Sequence, residues 1–118
     1  MFNIYTGYFA KVKHYEMLGY TPVAIVASKP KWFEGLYEPL LAPCWALVSD
    51  YKQGLITEED YIRRYTSYLD TLDIPSILSK YPNCVLCCYE KFGDFCHRHV
   101  LTNYIKDNYN IVITELQC

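Results

Sequence analysis

Four short apolar runs recur along the chain and predict the strands of a sheet. They are FNIY at residues 2–5, PVAIVA at 22–27, CVLCCY at 84–89 and IVITEL at 111–116. The second and the last run are rich in β-branched residues. Runs of this length and composition are typical of strands that are buried on both faces of a parallel sheet.

The segments between these runs carry apolar residues at helical spacing. The clearest helix begins after Thr57, because Thr57 and Asp60 have the spacing of a capping arrangement and the first turn is acidic. Its apolar face is predicted to enter the core, and comprises Ile62, Tyr65, Tyr68, Leu69 and Leu72. Weaker patterns predict helices over residues 39–51 and 96–108 and a loop over 6–15.

Strands that alternate with helices indicate an α/β fold. We predict a small parallel-rich sheet flanked by helices in a Rossmann-like three-layer arrangement. At 118 residues the chain has the length of a single domain, predicted over residues 1–118. Ligands of such folds bind beyond the carboxyl ends of the strands, so the loops after the first three predicted strands are expected to meet.

Charge and composition narrow the classes of partner. A formal net charge of −2 gives no general electrostatic footprint for nucleic acid, so extended nucleic-acid binding is not expected. The apolar runs are too short to cross a membrane and the first residues lack the pattern of a secretion signal, so we expect no membrane association and a cytoplasmic location. In that reducing compartment most of the six cysteines are expected to be free thiols.

Reactive side chains concentrate in the segment VLCCYEKFGDFCHRHV at residues 85–100. Cys88 ends the third predicted strand, Glu90 follows in a short turn, and Cys96, His97 and Arg98 come together where the next helix begins. A strand end that leads into a helix start is where α/β proteins bind anions and nucleotides. We therefore predict the functional site in this segment.

Each of these residues has a predicted role and a structural alternative. Cys96 lies near the positive end of a helix and is predicted to act as a nucleophile or to contact an anion, with Cys88 among the ligand-binding residues. His97 and Glu90 are predicted as catalytic acid–base groups. Arg98 offers a planar fork to a phosphate, but it equally suits an ion pair with Glu90. Helical geometry predicts that His97 and Arg98 point away from Cys96.

Aromatic residues in the first two loops complete the predicted ligand-binding set. Tyr5 and Tyr8 follow the first strand, and Trp32 follows the second. An aromatic face packs well against a planar ring, so we predict that Tyr8 or Trp32 stacks on the ring of a ligand.

Two known kinds of cysteine site fit the spacing poorly. Cys84 and Cys87 have the spacing of a zinc knuckle that Cys96 and a histidine could complete, but residues three apart on a strand point to opposite faces. Cysteine phosphatases and rhodaneses place an arginine six positions after the reactive cysteine. Here Arg98 follows Cys88 by ten positions. We therefore predict no metal ligands, no cofactor and no loop of that kind.

The motifs CCYEKFGDFCHRHVL (87–101), IYTGYFAK (4–11) and PKWFEG (30–35) resemble the small single-domain branch of domain-of-unknown-function family 488. The resemblance spans nearly the whole chain, including residues 42–65. One departure is Phe92, where a proline is usual, and it should alter the turn rather than remove a reacting group. The resemblance implies a compact α/β fold and a site built from Cys88, Glu90, Cys96, His97 and Arg98, with Tyr5 and Tyr8 from the first loop.

Three hypotheses for function follow. In the first, the protein binds or processes a nucleotide-like or other anionic small molecule, and loss of Arg98 abolishes binding while the fold stays intact. In the second, the protein is a non-enzymatic interaction module whose Cys-His-Arg cluster is structural, which predicts a corner without a pocket. In the third, the cysteines and histidines hold a structural zinc ion.

Overall fold

A parallel sheet of five strands forms the centre of the molecule. The computed structural model describes residues 3–89 and 96–116. The strands are ordered β3-β2-β4-β1-β5 across the sheet. Their bounds are β1 Asn3–Tyr8, β2 Thr21–Ala24, β3 Leu36–Tyr37, β4 Asn83–Cys88 and β5 Thr114–Glu115.

Within the described ranges, five α-helices and two short 3-10 turns connect these strands. The helices are α1 Val12–Met17, α2 Trp45–Lys52, α3 Glu58–Leu69, α4 Ile74–Leu78 and α5 His97–Tyr109, and 3-10 turns at Phe9–Lys11 and Pro39–Leu41 precede α1 and α2. The predicted α/β class, with a parallel sheet flanked by helices, is confirmed.

The sheet separates two apolar cores, one on each face. The larger core includes side chains of α2 to α5, and the smaller core includes Tyr15 of α1. Side chains alternate along β4, so Leu86 lies in the larger core and Val85 lies in the smaller one. Residues after β2 also reach the smaller core, through Phe33. The molecule therefore has three layers. The first is α1 with the segment after β2, the second is the sheet, and the third is formed by α2 to α5.

The strand order sets where a ligand can enter. β4 lies between β2 and β1, whereas the Rossmann order places strand 1 directly beside strand 2, so the Rossmann-like part of the prediction is not confirmed. The segments that follow β1 and β2 pack on one face of the sheet, whereas α5 packs on the other face. This divergence opens a crevice at the carboxyl end of β4.

The segment predicted as a loop over 6–15 contains the end of β1, a 3-10 turn and the start of α1. Gly7 lies within this strand and is paired with Cys87 of β4. The ring of Tyr15 packs directly over Gly7, where any side chain would collide with it. Glycine is therefore required here by the close approach of α1, not by a turn.

The helix predicted after Thr57 is confirmed as α3, although its buried face is rotated. Tyr61, Tyr65 and Leu69 enter the core, whereas Ile62 and Tyr68, which were predicted to be buried, remain more than a third exposed. An i, i+4, i+8 stripe centred on Tyr65 explains the burial, because successive members lie on one helical face.

Replacing Thr57 with alanine should lower the free energy of unfolding by about 1 kcal/mol. Thr57 Oγ1 accepts a hydrogen bond from the backbone N–H of Asp60, and the Asp60 carboxylate accepts one from the backbone N–H of Thr57. Urea unfolding of Thr57→Ala measures the loss. Thr71→Ala, which changes an exposed threonine after the end of α3, is the control, and equal losses in both would contradict a capping role.

Among residues 3–89 and 96–116, no helix combines the length and the apolar character that crossing a membrane requires.

Candidate functional site

A cavity of about 270 Å³ opens beside the carboxyl ends of β2 and β4. Its walls are largely aromatic, and its inner end reaches the start of α5. The rings are those of Trp45, Tyr51, Tyr61 and Tyr89, and the α5 side chains are those of Cys96 and His97. This is the position where the strand order predicts ligand binding in an open α/β sheet.

Local backbone geometry brings Cys96 and His97 to the same cavity. Cys96 is the N-cap of α5 and has an extended backbone, with φ −154° and ψ 149°. Its side chain makes no capping hydrogen bond. The prediction that His97 points away from Cys96 assumed helical geometry at both residues, and it is wrong because Cys96 precedes the first helical residue.

The sulfur atoms of Cys88 and Cys96 are bonded to each other across the end of β4 and the start of α5. The Cα atoms of the two residues lie 7.6 Å apart. Arg98 Nη1 also donates a hydrogen bond of 2.7 Å to Cys88 Sγ. Cys88 and Cys96, which are eight residues apart in sequence, are therefore joined in one site, which we call the sulfur centre. Arg98 contacts Cys88, the more deeply buried of the two.

His97 is held in one orientation by two contacts. Its Nε2 is hydrogen-bonded to the carbonyl oxygen of Ile25, just after β2, and its ring packs edge-on against the ring of Tyr65. A carbonyl only accepts, so Nε2 carries the proton and Nδ1 presents a lone pair. That Nδ1 lies 3.7 Å from Cys96 Sγ.

Burial keeps His97 neutral. Desolvation lowers the pKa of His97 to about 4, helped by the positive charges of Arg98 and His99 and opposed by the hydrogen bond to Ile25. At neutral pH the imidazole is therefore an uncharged acceptor facing the Cys96 sulfur.

Arg98 is fully buried and forms a two-pronged ion pair with Glu115 of β5. Nε donates to Oε1 at 2.9 Å and Nη2 donates to Oε2 at 3.0 Å. Thr6 of β1 donates to the same carboxylate at 2.9 Å. Burial alone would raise the pKa of Glu115, but the hydrogen bonds and charge of Arg98 outweigh it and hold the pKa below its ordinary value.

The structure brings together four of the predicted site residues, Cys88, Cys96, His97 and Arg98. Glu90, the remaining member of the segment, lies outside the described residues. The Arg98 carboxylate partner that the structure describes is Glu115, which sequence reasoning missed because it lies on a distant strand.

The three aromatic residues predicted to bind ligand lie elsewhere. Tyr8 packs under the guanidinium of Arg98, with its ring centre 5.9 Å from Cζ. Tyr5 packs edge-on against Tyr20, and Trp32 packs edge-on against Phe9. None of the three lines the cavity beside Cys96.

The residues that do line the cavity walls come mainly from α2 and from the segment after β2, with Tyr61 from α3. The helical residues were missed because their spacing is that of ordinary core or surface positions. Tyr89 has a local signal, since it directly follows β4, and its hydroxyl donates a hydrogen bond of 2.7 Å to the carbonyl oxygen of Ser28. This bond joins the ends of β4 and β2 and shapes the cavity.

Three side chains could hold a metal ion. The ligand atoms of Cys88, Cys96 and His97 lie within 4.8 Å of one another. The zinc alternative weighed from spacing used Cys84 and Cys87, which point into opposite cores and are not members of this group. When the bond between Cys88 and Cys96 is reduced, two thiolates and an imidazole are a donor set that zinc accepts.

A known protein family matches most of this chain. The model of the family DUF488-N3a, described as the active DUF488-N3 subclade, matches residues 20–109, and these residues include β2 to α5 and both cysteines of the sulfur centre. Searches of curated proteins and of solved structures returned no match. Since the match covers more than half of the sequence, this chain belongs to the DUF488 family.

Proposed function

We propose that the protein binds a small anionic molecule with an aromatic ring, such as a nucleotide, and that Cys96 reacts with it. The observation that carries the proposal is the aromatic cavity that ends on Cys96 and His97. When the Cys88–Cys96 bond is reduced, Cys96 presents a thiol beside a neutral imidazole at the inner end of the cavity, and this arrangement is suited to nucleophilic chemistry.

The size and walls of the cavity define the class of ligand. Its volume of about 270 Å³ lies just below the range of roughly 300–1,000 Å³ that is usual for drug-sized ligands, so a single ring system with one substituent fits better than a dinucleotide. Four aromatic side chains favour a planar ring, because such rings pack edge-to-face or offset against each other.

Two sources of positive potential favour an anion. Lys52 lies at the exposed side of the cavity, at the carboxyl end of α2. The amino end of α5 lies at the inner side, where the helix dipole favours negative charge. Arg98 is engaged by Glu115 and Cys88, so the proposal assigns the anion to Lys52 and α5.

The chemistry proposed for the site uses His97 as a proton acceptor. Its Nδ1 lone pair faces the Cys96 thiol, and the Ile25 carbonyl fixes the tautomer that makes this possible. Since burial disfavours the imidazolium, a proton taken from Cys96 passes on to the leaving group. The cavity also favours this function over an interaction module, for which a corner without a pocket was expected.

Replacing Lys52 with methionine should weaken nucleotide binding about 10-fold, because one charge-assisted contact is lost. The probe is Trp45 fluorescence in a Trp32→Phe background, titrated with adenosine or uridine 5′-monophosphate. Trp45 lines the cavity and Trp32 does not.

Lys13→Met is the matched control, since Lys13 is exposed on α1 across the sheet. It should bind as the parent does. Trp45 emission that is unchanged by either nucleotide, or equal weakening in the two lysine variants, would contradict the proposed site.

A further inference from the structure

We infer that Cys88 and Cys96 form a dithiol that reduces a small aromatic disulfide bound in the cavity. The inference rests on the proposed function for the cavity and names a substrate class for the same site. It starts from the pairing of these two sulfurs, which the described structure joins directly.

The two cysteines are unequally placed with respect to the cavity. Cys96 lines it, whereas Cys88 is fully buried behind Cys96 and is absent from the lining. A bound molecule therefore meets Cys96 first. This is the order that disulfide exchange requires, with an accessible attacking thiol and a second thiol that resolves the mixed disulfide.

Each sulfur has its own activating neighbour. The guanidinium of Arg98 donates a hydrogen bond of 2.7 Å to Cys88 Sγ, and a fixed positive donor stabilises an anionic sulfur. Cys96 Sγ has Nδ1 of His97 at 3.7 Å. Arg98 is itself fixed by Glu115, so the donor to Cys88 is rigid.

Burial is the largest influence on the pKa of the other buried cysteines, and at Cys87 it outweighs the opposing charge of Arg98. Burial raises the pKa of Cys84 to about 12 and raises that of Cys87 further still, so both remain thiols at neutral pH. Cys44 is exposed and lies at the start of α2. Reactivity inside the fold is therefore expected to concentrate at Cys96 and Cys88.

The reaction balances as two successive exchanges. His97 Nδ1 accepts the proton of the Cys96 thiol, and the Cys96 thiolate attacks one sulfur of R–S–S–R. A Cys96–S–R bond forms, the S–S bond of the substrate breaks, and the first thiol leaves as RSH with that proton. The Cys88 thiolate then attacks Cys96 Sγ, the Cys88–Cys96 bond forms as the Cys96–S–R bond breaks, and the second RS⁻ leaves with the proton that the Cys88 thiol gave up. The substrate gains two electrons and the dithiol loses two. A low-molecular-weight thiol, added in excess, returns the protein to the dithiol.

The test uses 5,5′-dithiobis(2-nitrobenzoate), which is an aromatic, anionic disulfide whose released thiol is coloured. The protein is reduced, freed of reductant and assayed in a Cys44→Ser, Cys118→Ser background. We expect two released thiols per chain, no nitrobenzoate left on the protein and a Cys88–Cys96 bond in the peptide map.

Two variants separate the roles of the thiols. Cys88→Ser should release one thiol and keep the nitrobenzoate on Cys96, as intact mass shows. Cys96→Ser should release thiol at least ~10-fold more slowly, because the remaining sulfur does not reach the cavity. Circular dichroism confirms that each variant is folded. The peptide map of the protein that keeps both Cys88 and Cys96 tests the inference without relying on either variant.

Three outcomes would overturn the inference. If nitrobenzoate persists on Cys96 when Cys88 is present, Cys88 does not resolve it, although the proposed reactive cavity survives. If Cys96 gains no adduct in any variant, the proposed function fails as well. If the purified protein holds stoichiometric zinc and releases no coloured thiol until a chelator is added, the two cysteines are metal ligands.

Discussion

Replacing Arg98 with alanine is expected to lower the free energy of unfolding by roughly 3–5 kcal/mol, because the change leaves a buried charge without its partner. Arg98 is fully buried, and the side chain of Glu115 is 9% exposed. The variant leaves the Glu115 carboxylate with Thr6 as its described hydrogen-bond donor and removes the cation above the ring of Tyr8. Urea unfolding at pH 7, followed by circular dichroism, measures the effect.

Arg63→Ala is the matched control. Arg63 pairs with Asp60 at 3.2 Å, but both side chains are largely exposed, and such pairs contribute about 0–1 kcal/mol. A double variant, Arg98→Met with Glu115→Leu, should recover much of the lost stability because no charge is then left buried.

This expectation reverses the one drawn from sequence, in which loss of Arg98 abolished ligand binding while the fold stayed intact. An Arg98→Ala protein as stable as Arg63→Ala, yet unable to bind nucleotide, would restore the anion-binding role. The two outcomes differ in a single pair of measurements, unfolding and the Trp45 titration.

Acidification from pH 6.5 to pH 4 is expected to cost the folded protein roughly 3 kcal/mol through His97 alone. Burial lowers the pKa of His97 to about 4 in the folded chain, from an ordinary value of 6.5. Between these values the unfolded chain binds a proton that the folded chain does not. Stability therefore falls as the pH drops through this window, and the loss levels off below the folded pKa.

His97→Gln tests the effect, because an amide can still donate to the Ile25 carbonyl but does not titrate. Urea midpoints of this variant should change much less between pH 6.5 and pH 4.5 than those of the parent. His14→Gln, an exposed change on α1, should keep the parental slope. Identical slopes in all three proteins would mean that His97 is charged or solvated in the folded state.

Much of the architecture could be predicted because short local patterns in the sequence determine the strands and helices. Short β-branched runs marked strands buried on both faces, and Thr57 with Asp60 marked the start of α3. The extension of β1 to Tyr8 was missed because Gly7 normally indicates a turn, whereas here it accommodates the ring of Tyr15. That requirement depends on how α1 packs, which no local pattern contains.

The site could be predicted in its reactive groups but not in its partners. Cys96, His97 and Arg98 are adjacent in sequence, so their concentration was visible. The ion pair of Arg98 with Glu115 depends on β5 lying beside β1, and the Ile25 carbonyl that orients His97 depends on β2 lying beside β4. The cavity walls likewise combine α2 and Tyr61 of α3 with the segment after β2, and all of these precede the cysteines by many residues.

The central pairing of β1 with β4 also has a consequence for the rate at which the chain folds. Asn3 and Asn83 lie side by side although 80 residues separate them, so a long loop must close before the sheet has a centre. Contacts of such long range slow folding towards the millisecond-to-second regime. The sulfur centre also depends on Glu115 of β5 through Arg98. A chain still being synthesised would therefore carry its two thiols unpaired and unactivated until β5 has emerged.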